Sequence, residues 1–236
     1  MKKALGWTLA AILILSVVCF AGLKAANSRT FMFFGAPVAR VDTSEKVIAL
    51  TFDDGPGKKT DQVLEVLKAS DVKATFFVIG ANLEENPDEG RKLAAAGHQL
   101  GNHTYQHKRM VFKSPAYIRD EIERTDQLIR AAGYDGEILF RPPNCKKLLL
   151  LPYYLQRNGR QTITWDLEPD SYPEVAASSD RIVEYVKANA RPGSIILLHV
   201  MSDSRAESLR AVPGIVSALR QDGYRFVTVS ELLGYN

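Results

Sequence analysis

A chain of 236 residues, 46% hydrophobic and 24% charged, is long enough to enclose one sizeable core and is not compositionally disordered. Its formal charge of +3 traces to Lys2, Lys3, Lys24 and Arg29, which precede residue 30 with no acid among them; the remainder carries 26 basic against 27 acidic residues. That balance argues against nucleic acid as a partner, which would call for a clustered basic face, and two cysteines, Cys19 and Cys145, do not make a disulfide framework.

After Lys2 and Lys3 the run from Ala4 to Leu23 carries no charge and is rich in Leu, Ile, Val and Ala. About 20 such residues suffice for a helix to cross the hydrocarbon core, more than the ~7–15 of a typical signal-peptide apolar region. Residues 1–24 are therefore expected to be a transmembrane anchor or a signal peptide, with the uncleaved anchor preferred and cleavage near Ala21 or Ala25 left open. The lysines would stay in the cytoplasm and send the rest of the chain outside, membrane-anchored or, if cleaved, secreted. Residues 25–45 have no clear period and are punctuated by Asn27, Ser28, Gly35 and Pro37, so they read as a tether, with an apolar knot at Phe31 to Phe34.

From residue 46 to 236 short apolar runs alternate with longer amphipathic ones, the pattern of repeated βα units and a parallel sheet. Strands are expected at Val47 to Phe52, Ala74 to Ile79, Gln99 to Asn102, Ile138 to Phe140, Thr162 to Trp165, Ser194 to Leu198 and Arg225 to Val229. Helices are expected at Thr60 to Ser70, Ala81 to Ala96, Pro115 to Ala132, Leu148 to Asn158, Ser179 to Ala190 and Ala206 to Asp222, several followed by a glycine suited to a C-cap. Asp53 and Asp54 follow the first strand, His103 and His107 the third, Arg141 the fourth, Asp166 the fifth and His199 the sixth. In a β/α barrel the carboxyl ends of the strands form one face, where sites are assembled from several loops.

His103 and His107, four residues apart, can present both rings to one side, and Asp54 adds a carboxylate. Two histidines and one carboxylate make an open site for a divalent metal. Zinc is the default, while iron, cobalt, nickel and manganese stay open, as does a non-haem iron oxygenase that uses the same donors. The adjacent Asp53 tilts the reading toward hydrolysis, because it can serve as general base toward an activated water. His199 is placed to protonate a leaving nitrogen, and Arg141 is a fixed cation that could pair with Asp53.

On Thr51-Phe52-Asp53-Asp54-Gly55-Pro56, His103-Thr104-Tyr105-Gln106-His107, Arg141-Pro142-Pro143, the Trp165-Asp166 region and Leu197-Leu198-His199, the chain resembles the polysaccharide deacetylases of carbohydrate esterase family 4 (the NodB-homology domain). The resemblance implies a distorted (β/α)7 barrel after the N-terminal helix. It also implies Asp53 as catalytic base, Arg141 as the arginine that positions it, and His199 as general acid. Asp54, His103 and His107 become the metal ligands, with Asn144, Leu197 and Trp165 at the oxyanion and acetyl pocket. The implied substrate is an N-acetylated, sometimes O-acetylated, glycan of the cell envelope or its surroundings, such as peptidoglycan or a chitin-like oligosaccharide.

Two departures from the family pattern stand out. Asn144 and Cys145 follow Arg-Pro-Pro where the family has an aromatic and then glycine, and Glu168-Pro169-Asp170-Ser171-Tyr172 replaces the usual acidic-x-x-acidic-Trp. Which of Asp166, Glu168 and Asp170 supports Arg141 or His199 is open. A catalytically impaired glycan-binding pseudoenzyme that keeps the metal cleft is the alternative function. Oligomeric state is not specified by the sequence.

Overall fold

The computed structural model describes residues 2–235. In chain order the first half comprises α1 (Lys2–Asn27), β1 (Val47–Gly55), α2 (Thr60–Ala69), β2 (Thr75–Val78), α3 (Gly80–Glu85), α4 (Pro87–Ala95), β3 (Gln99–Asn102) and α5 (Pro115–Ala131). The second half comprises α6 (Leu150–Arg157), α7 (Pro173–Ala176), α8 (Ser179–Asn189), β4 (Ile195–Leu198), α9 (Ala206–Gln221), β5 (Arg225–Val227) and α10 (Val229–Leu233). The expected helix over 81–96 is two, α3 and α4, because Pro87 lacks the N–H needed to continue the ladder through Asn86. The last strand is shorter than expected: Thr228 instead caps α10 in a capping box with Glu231.

All the paired strands run parallel, in the order β3-β2-β1-β4, with β5 alongside the first half of β1. β1 is central and fully buried along its apolar part, so it has the near-continuous hydrophobic run of a strand covered on both faces. One core layer lies between sheet and helices, where Leu50, Phe52 and Phe76 meet Val63, Ile129, Ile182 and Val212; a second fills the concave side around Ala49, Phe77, Leu139, Ile163 and Leu197.

The expected strands at 138–140 and 162–165 are reduced to isolated bridges. Phe140 pairs singly with Asn102 and with Thr162, and Leu167 with Ile196. Pro142 and Pro143 have no N–H to extend the first ladder, and the second segment divides its hydrogen bonds between Val38 and Phe140, while only Asp166 and Leu167 just beyond it reach β4. These bridges carry the sheet from β3 round toward β4.

The stretch expected to be a tether lies along the domain. Val38 exchanges hydrogen bonds with Thr162 and Thr164, Val41 N–H donates to Gly193 O at 2.9 Å, and Met32 and Val41 are buried. Residues 38–41 thus fill the gap between the segment at 162–164 and the start of β4. Gly193 is required there: its φ is +79° and an added Cβ would lie 1.9 Å from Val41 O.

The apolar run of the expected 1–24 segment forms part of α1, which continues to Asn27 so that its last turn reaches the domain at the buried Ala26. Met1 and the side chains of 2–6, 8, 9 and 11 lie outside the described residues. Among the described residues no helix is long and apolar enough to cross a membrane, so the expected transmembrane helix finds no support in the fold.

Gly193→Ala should destabilise the folded domain by about 2 kcal/mol or more, through a left-handed φ and a backbone clash that neither neighbour can relieve. Urea unfolding followed by circular dichroism reads this; a loss below about 0.5 kcal/mol, the size of an ordinary surface change, would show that residues 38–41 are not held against β4.

Candidate active site

The two acids that end β1 reach one cleft because the strand is interrupted between them. In the pairing with β2, Asp53 is opposite Phe77 and Gly55 is opposite Val78, so Asp54 is the extra residue of a bulge, with φ +71°. The bulge turns Asp54 away from the alternation that would point it opposite to Asp53.

Asp53 is buried and faces Arg141, which is fully buried. Arg141 Nη1 donates to Asp53 Oδ1 at 2.7 Å and to Thr51 Oγ1 at 2.8 Å, and Nη2 donates to Thr164 O at 3.0 Å. The guanidinium lies 4.0 Å from the centre of the Phe77 ring. Burial lowers the Arg141 pKa and the Asp53 charge opposes that shift; the group stays a cation, since guanidinium does not deprotonate in proteins.

His103 follows β3 and is also buried. Its Nδ1 lies 2.8 Å from the carbonyl oxygen of Arg141, which can only accept, so Nδ1 carries the proton and Nε2 presents a lone pair. Burial pushes the His103 pKa down to about 3 against the Asp54 charge, keeping the ring neutral. His103 Nε2 lies 3.5 Å from Asp53 Oδ2 and 3.7 Å from Asp54 Oδ1, and His107 Nε2 lies 3.2 Å from Asp54 Oδ1. Asp54 Oδ1 is nevertheless buried without a hydrogen-bond partner. A buried carboxylate oxygen left unpaired between two imidazole nitrogens fits a cation, and Asp54, His103 and His107 can each offer one ligand atom with all three atoms within 4.8 Å of one another.

The loop that carries both rings is held by Glu121, which sequence reasoning missed. Its Oε2 accepts from the N–H groups of Tyr105 at 3.0 Å and Gln106 at 2.8 Å, while Thr104 and His107 adopt left-handed φ of +68° and +54°. The available signal was an acid among the inward positions of α5, where Ile118, Ile122, Thr125 and Ile129 are its buried companions.

Across the cleft, His199 follows β4. Its ring Nδ1 is 3.2 Å from Asp170 Oδ1, and its backbone N–H donates to Asp170 Oδ2 at 2.8 Å. Burial disfavours the charged ring, but the hydrogen bond and charge of Asp170, joined by Asp53 and Asp54, outweigh it and raise the pKa to about 9. The question left among the three acids is thereby answered in geometry. Asp170 supports His199; Glu168 accepts from Trp165 Nε1 at 2.8 Å and pairs with Arg29 at 2.6 Å; Asp166 turns away to accept from Ser194 Oγ and Ile195 N–H. Burial raises the Asp166 pKa.

Of the nine residues expected at the site, Asp53, Asp54, His103, His107, Asn144, Leu197, Trp165 and His199 line one cleft of about 380 Å³, and Arg141 lies beneath it. Asn144 and Cys145 form a tight turn with φ of +52° and +58°, so Cys145 occupies the left-handed conformation in which the family's glycine would be unstrained. Cys145 also lines the cleft, and Asn27, Arg29, Lys146 and Glu168 complete the lining. Asn27 and Arg29 come from the stretch expected to be a tether, whose sequence gives no periodic signal.

A curved parallel sheet with this constellation at its carboxyl edge defines a hydrolase of the deacetylase class. The polysaccharide deacetylase family model matches residues 40–163. A peptidoglycan-N-acetylglucosamine deacetylase of Bacillus cereus is 35% identical over 196 residues, covering 83% of this chain and 92% of that one. A solved peptidoglycan N-acetylglucosamine deacetylase, in complex with 4-naphthalen-1-yl-N-oxidanyl-benzamide, superposes with a TM-score of 0.77 at 31% identity, covering 84% of this chain and 92% of the other. A family 4 carbohydrate esterase from Streptomyces lividans in complex with acetate gives 0.69 at 32% identity, over 79% and 92%. A CE4 family pseudoenzyme from Bacillus anthracis gives 0.75 at 28% identity, over 84% and 69%. The chain belongs to the polysaccharide deacetylase family, carbohydrate esterase family 4.

Two changes test how the site is held. Glu121→Ala should leave the N–H groups of Tyr105 and Gln106 without their carboxylate and loosen both imidazoles, lowering affinity for a divalent ion about 10–100-fold; unchanged affinity in a metal titration would show that the loop holds itself. Asp170→Asn should drop the His199 pKa well below about 9, because burial is then opposed only by the more distant Asp53 and Asp54. Imidazole chemical shifts followed against pH would contradict the pairing if the midpoint stayed near 9.

Proposed function

We propose that the protein is a metal-dependent deacetylase that removes N-acetyl groups from a glycan of the cell envelope, in the manner of its peptidoglycan-acting relatives. The observation that carries this reading is the placement of Asp53, anchored to Arg141 at 2.7 Å, beside a triad of metal-type donors and opposite His199, whose Nδ1 lies 3.2 Å from Asp170 Oδ1. Zinc is the ion this donor set suits best. When bound by Asp54, His103 and His107, a divalent ion supplies Lewis acidity, polarising the acetamide carbonyl and making a nearby water more acidic.

The chain's own residues do the remainder. Arg141 occupies Asp53 Oδ1, leaving Oδ2 toward the cleft to take a proton from the attacking water. The Asn144 N–H is the oxyanion donor implied by the family likeness, and Leu197 and Trp165 wall the acetyl methyl. His199, kept protonated by Asp170, gives its proton to the departing amine nitrogen as the C–N bond breaks, leaving acetate and a free amino sugar.

The impaired-binder alternative is not favoured, since Asp53, Arg141 and all three candidate ligands are present together. Nothing in the geometry favours an oxygenase. The uncharged run from Ala4 to Leu23 behind Lys2 and Lys3 supports a location outside the cytoplasm, with the N-terminal segment acting as export signal or anchor.

Acetate release from acetylated chitin oligomers or peptidoglycan glycan strands tests the function. A chelator should abolish it, and Asp53→Asn should lower kcat by ~10²–10⁴; undiminished turnover in either case would refute the assignment. His103→Ala should lose bound metal, whereas His199→Ala should retain metal and lose turnover, so metal content measured beside activity separates ligand from acid. The pH profile has a definite sign. His199 acts in its charged form with a pKa that Asp170 raises, so its contribution is full at lower pH and fades as pH rises through that raised pKa. Asp170→Asn should move that alkaline limb to lower pH, and an unmoved limb would assign it to another group.

A further inference from the structure

The short helix α3 touches both sources of the metal-type donors. On one side, Asn82 Nδ2 donates to the backbone oxygen of Asp54 at 3.0 Å. On the other, the N–H groups of Gly80 and Ala81 donate to the backbone oxygens of Thr104 and Tyr105, each at 2.9 Å, inside the loop that carries His103 and His107. The approach is close: a Cβ on Gly80 would lie 2.7 Å from the Tyr105 ring and 2.5 Å from Thr125 Oγ1, so only glycine lets the helix lie against the loop. One turn further along α3, Glu84 accepts from the Tyr105 hydroxyl at 2.6 Å and pairs at 2.9 Å with Arg124, whose guanidinium covers the same ring at 3.7 Å.

Asn82 is itself held firmly, since its backbone oxygen accepts from Asn86 N–H at 2.9 Å and from Asn86 Nδ2 at 3.2 Å. The bond it makes falls where Asp54 most needs support. Asp54 is the extra residue of the bulge, outside the regular ladder, at φ +71°. Its Oδ1 has to stay between His103 Nε2 and His107 Nε2, which lie 3.7 and 3.2 Å away. Because the peptide unit is planar, holding the Asp54 carbonyl oxygen fixes the plane that follows this residue and so limits how far the carboxylate can swing.

We propose that Asn82 is a positioning residue for the metal centre: its amide sets the aim of the Asp54 carboxylate, and α3 carries that setting across to the two histidines. The proposal rests on the metal-dependent reading above and adds a residue to it. Glu121 and the Thr104 hydroxyl cannot do the same, because both act within the histidine loop alone. The N–H donor is the essential part. A side chain of similar size without one would fill the space beside the bulge and leave the Asp54 peptide free to turn.

The test titrates the metal-free, full-length chain in detergent with zinc and with cobalt, whose visible absorption reports the number and arrangement of ligands. Asn82→Leu keeps most of the volume and removes the donor, while Asn82→Ala removes both. Disturbing a group that orients a ligand lowers metal affinity about 10–100-fold. Both variants should therefore bind zinc at least about tenfold more weakly and shift the cobalt spectrum, with the metal-free Tm near native. Native affinity in Asn82→Leu, whatever Asn82→Ala does, makes the side chain a space-filler and overturns the proposal. Weaker binding with an unchanged cobalt spectrum and a lowered Tm is general loosening and overturns it too. If Asn82→Leu does not fold, Asn82→Ala decides by the same readings; if neither folds, Asn82 is a structural residue and the proposal falls. Failure of the deacetylase reading looks different. A native protein that takes up no zinc removes the metal centre and this proposal with it. One that binds zinc but releases no acetate removes only the catalytic reading, and weaker zinc binding in Asn82→Leu still supports the role of Asn82.

Discussion

The buried pair of Arg141 and Asp53 is the interaction on which the rest of the site depends. An ionised carboxylate at the end of a fully buried strand is expensive to hold unless it is both paired and hydrogen-bonded, and removing one partner of such a pair costs about 3–5 kcal/mol. Arg141 meets that demand and does more than neutralise. Its two terminal nitrogens tie β1, through Asp53 and Thr51, to the segment at Thr164, while its backbone oxygen sets the tautomer of His103. One residue thus joins Asp53, the metal-type donors and the far wall of the sheet.

The second constraint is local backbone geometry. Strand alternation would send Asp53 and Asp54 to opposite faces, and ordinary loops would not bring His103 and His107 round to the same carboxylate. Left-handed residues at Asp54, Thr104 and His107, each costing about 1–2 kcal/mol for a side chain, solve both problems. They are held by tertiary contacts: the bulge against β2 for Asp54, and for the loop the Glu121 carboxylate with the Thr104 hydroxyl, which accepts from His107 N–H at 3.1 Å. Strain of this kind persists only where the surroundings over-determine it, which is why it clusters at the site and not along the helices.

Much of this was legible in the sequence because it is carried by period and by position. Apolar runs mark β1, β2, β3 and β4, and the chemically capable residues at their carboxyl ends mark the cleft. What escaped has identifiable physical causes. The segments at 138–140 and 162–165 are apolar enough for strands, but ladder formation depends on which neighbours supply partners, and that is not a local property. Asp166, Glu168 and Asp170 are chemically alike and within five residues of one another, so only the turn at Pro169 to Ser171 decides that Asp170 meets His199. Glu121 is one acid on a helix with other acids, distinguished solely by facing inward. Residues 25–45 have no periodicity because they follow the contours of an existing surface.

That last stretch also explains how the departures at Asn144 and Cys145 are accommodated. Cys145 adopts a conformation that glycine takes without strain, and Lys147 just beyond it is fully buried, with its pKa lowered by desolvation. Either feature alone would loosen the turn. Both are answered by the chain that precedes residue 30: Ser28 O accepts from Lys147 Nζ and lies 3.5 Å from Cys145 Sγ, and Ala26 O accepts from Lys147 N–H at 3.1 Å. The altered loop and the N-terminal segment are therefore one packing unit, in which each supplies the partners that the other leaves unsatisfied. A substitution that looks damaging against the family pattern becomes tolerable when the segment outside the family's matched region closes over it. The same segment then brings Arg29 and Asn27 to the cleft lining, so closure over the loop and the shape of that side of the cleft come from one packing unit.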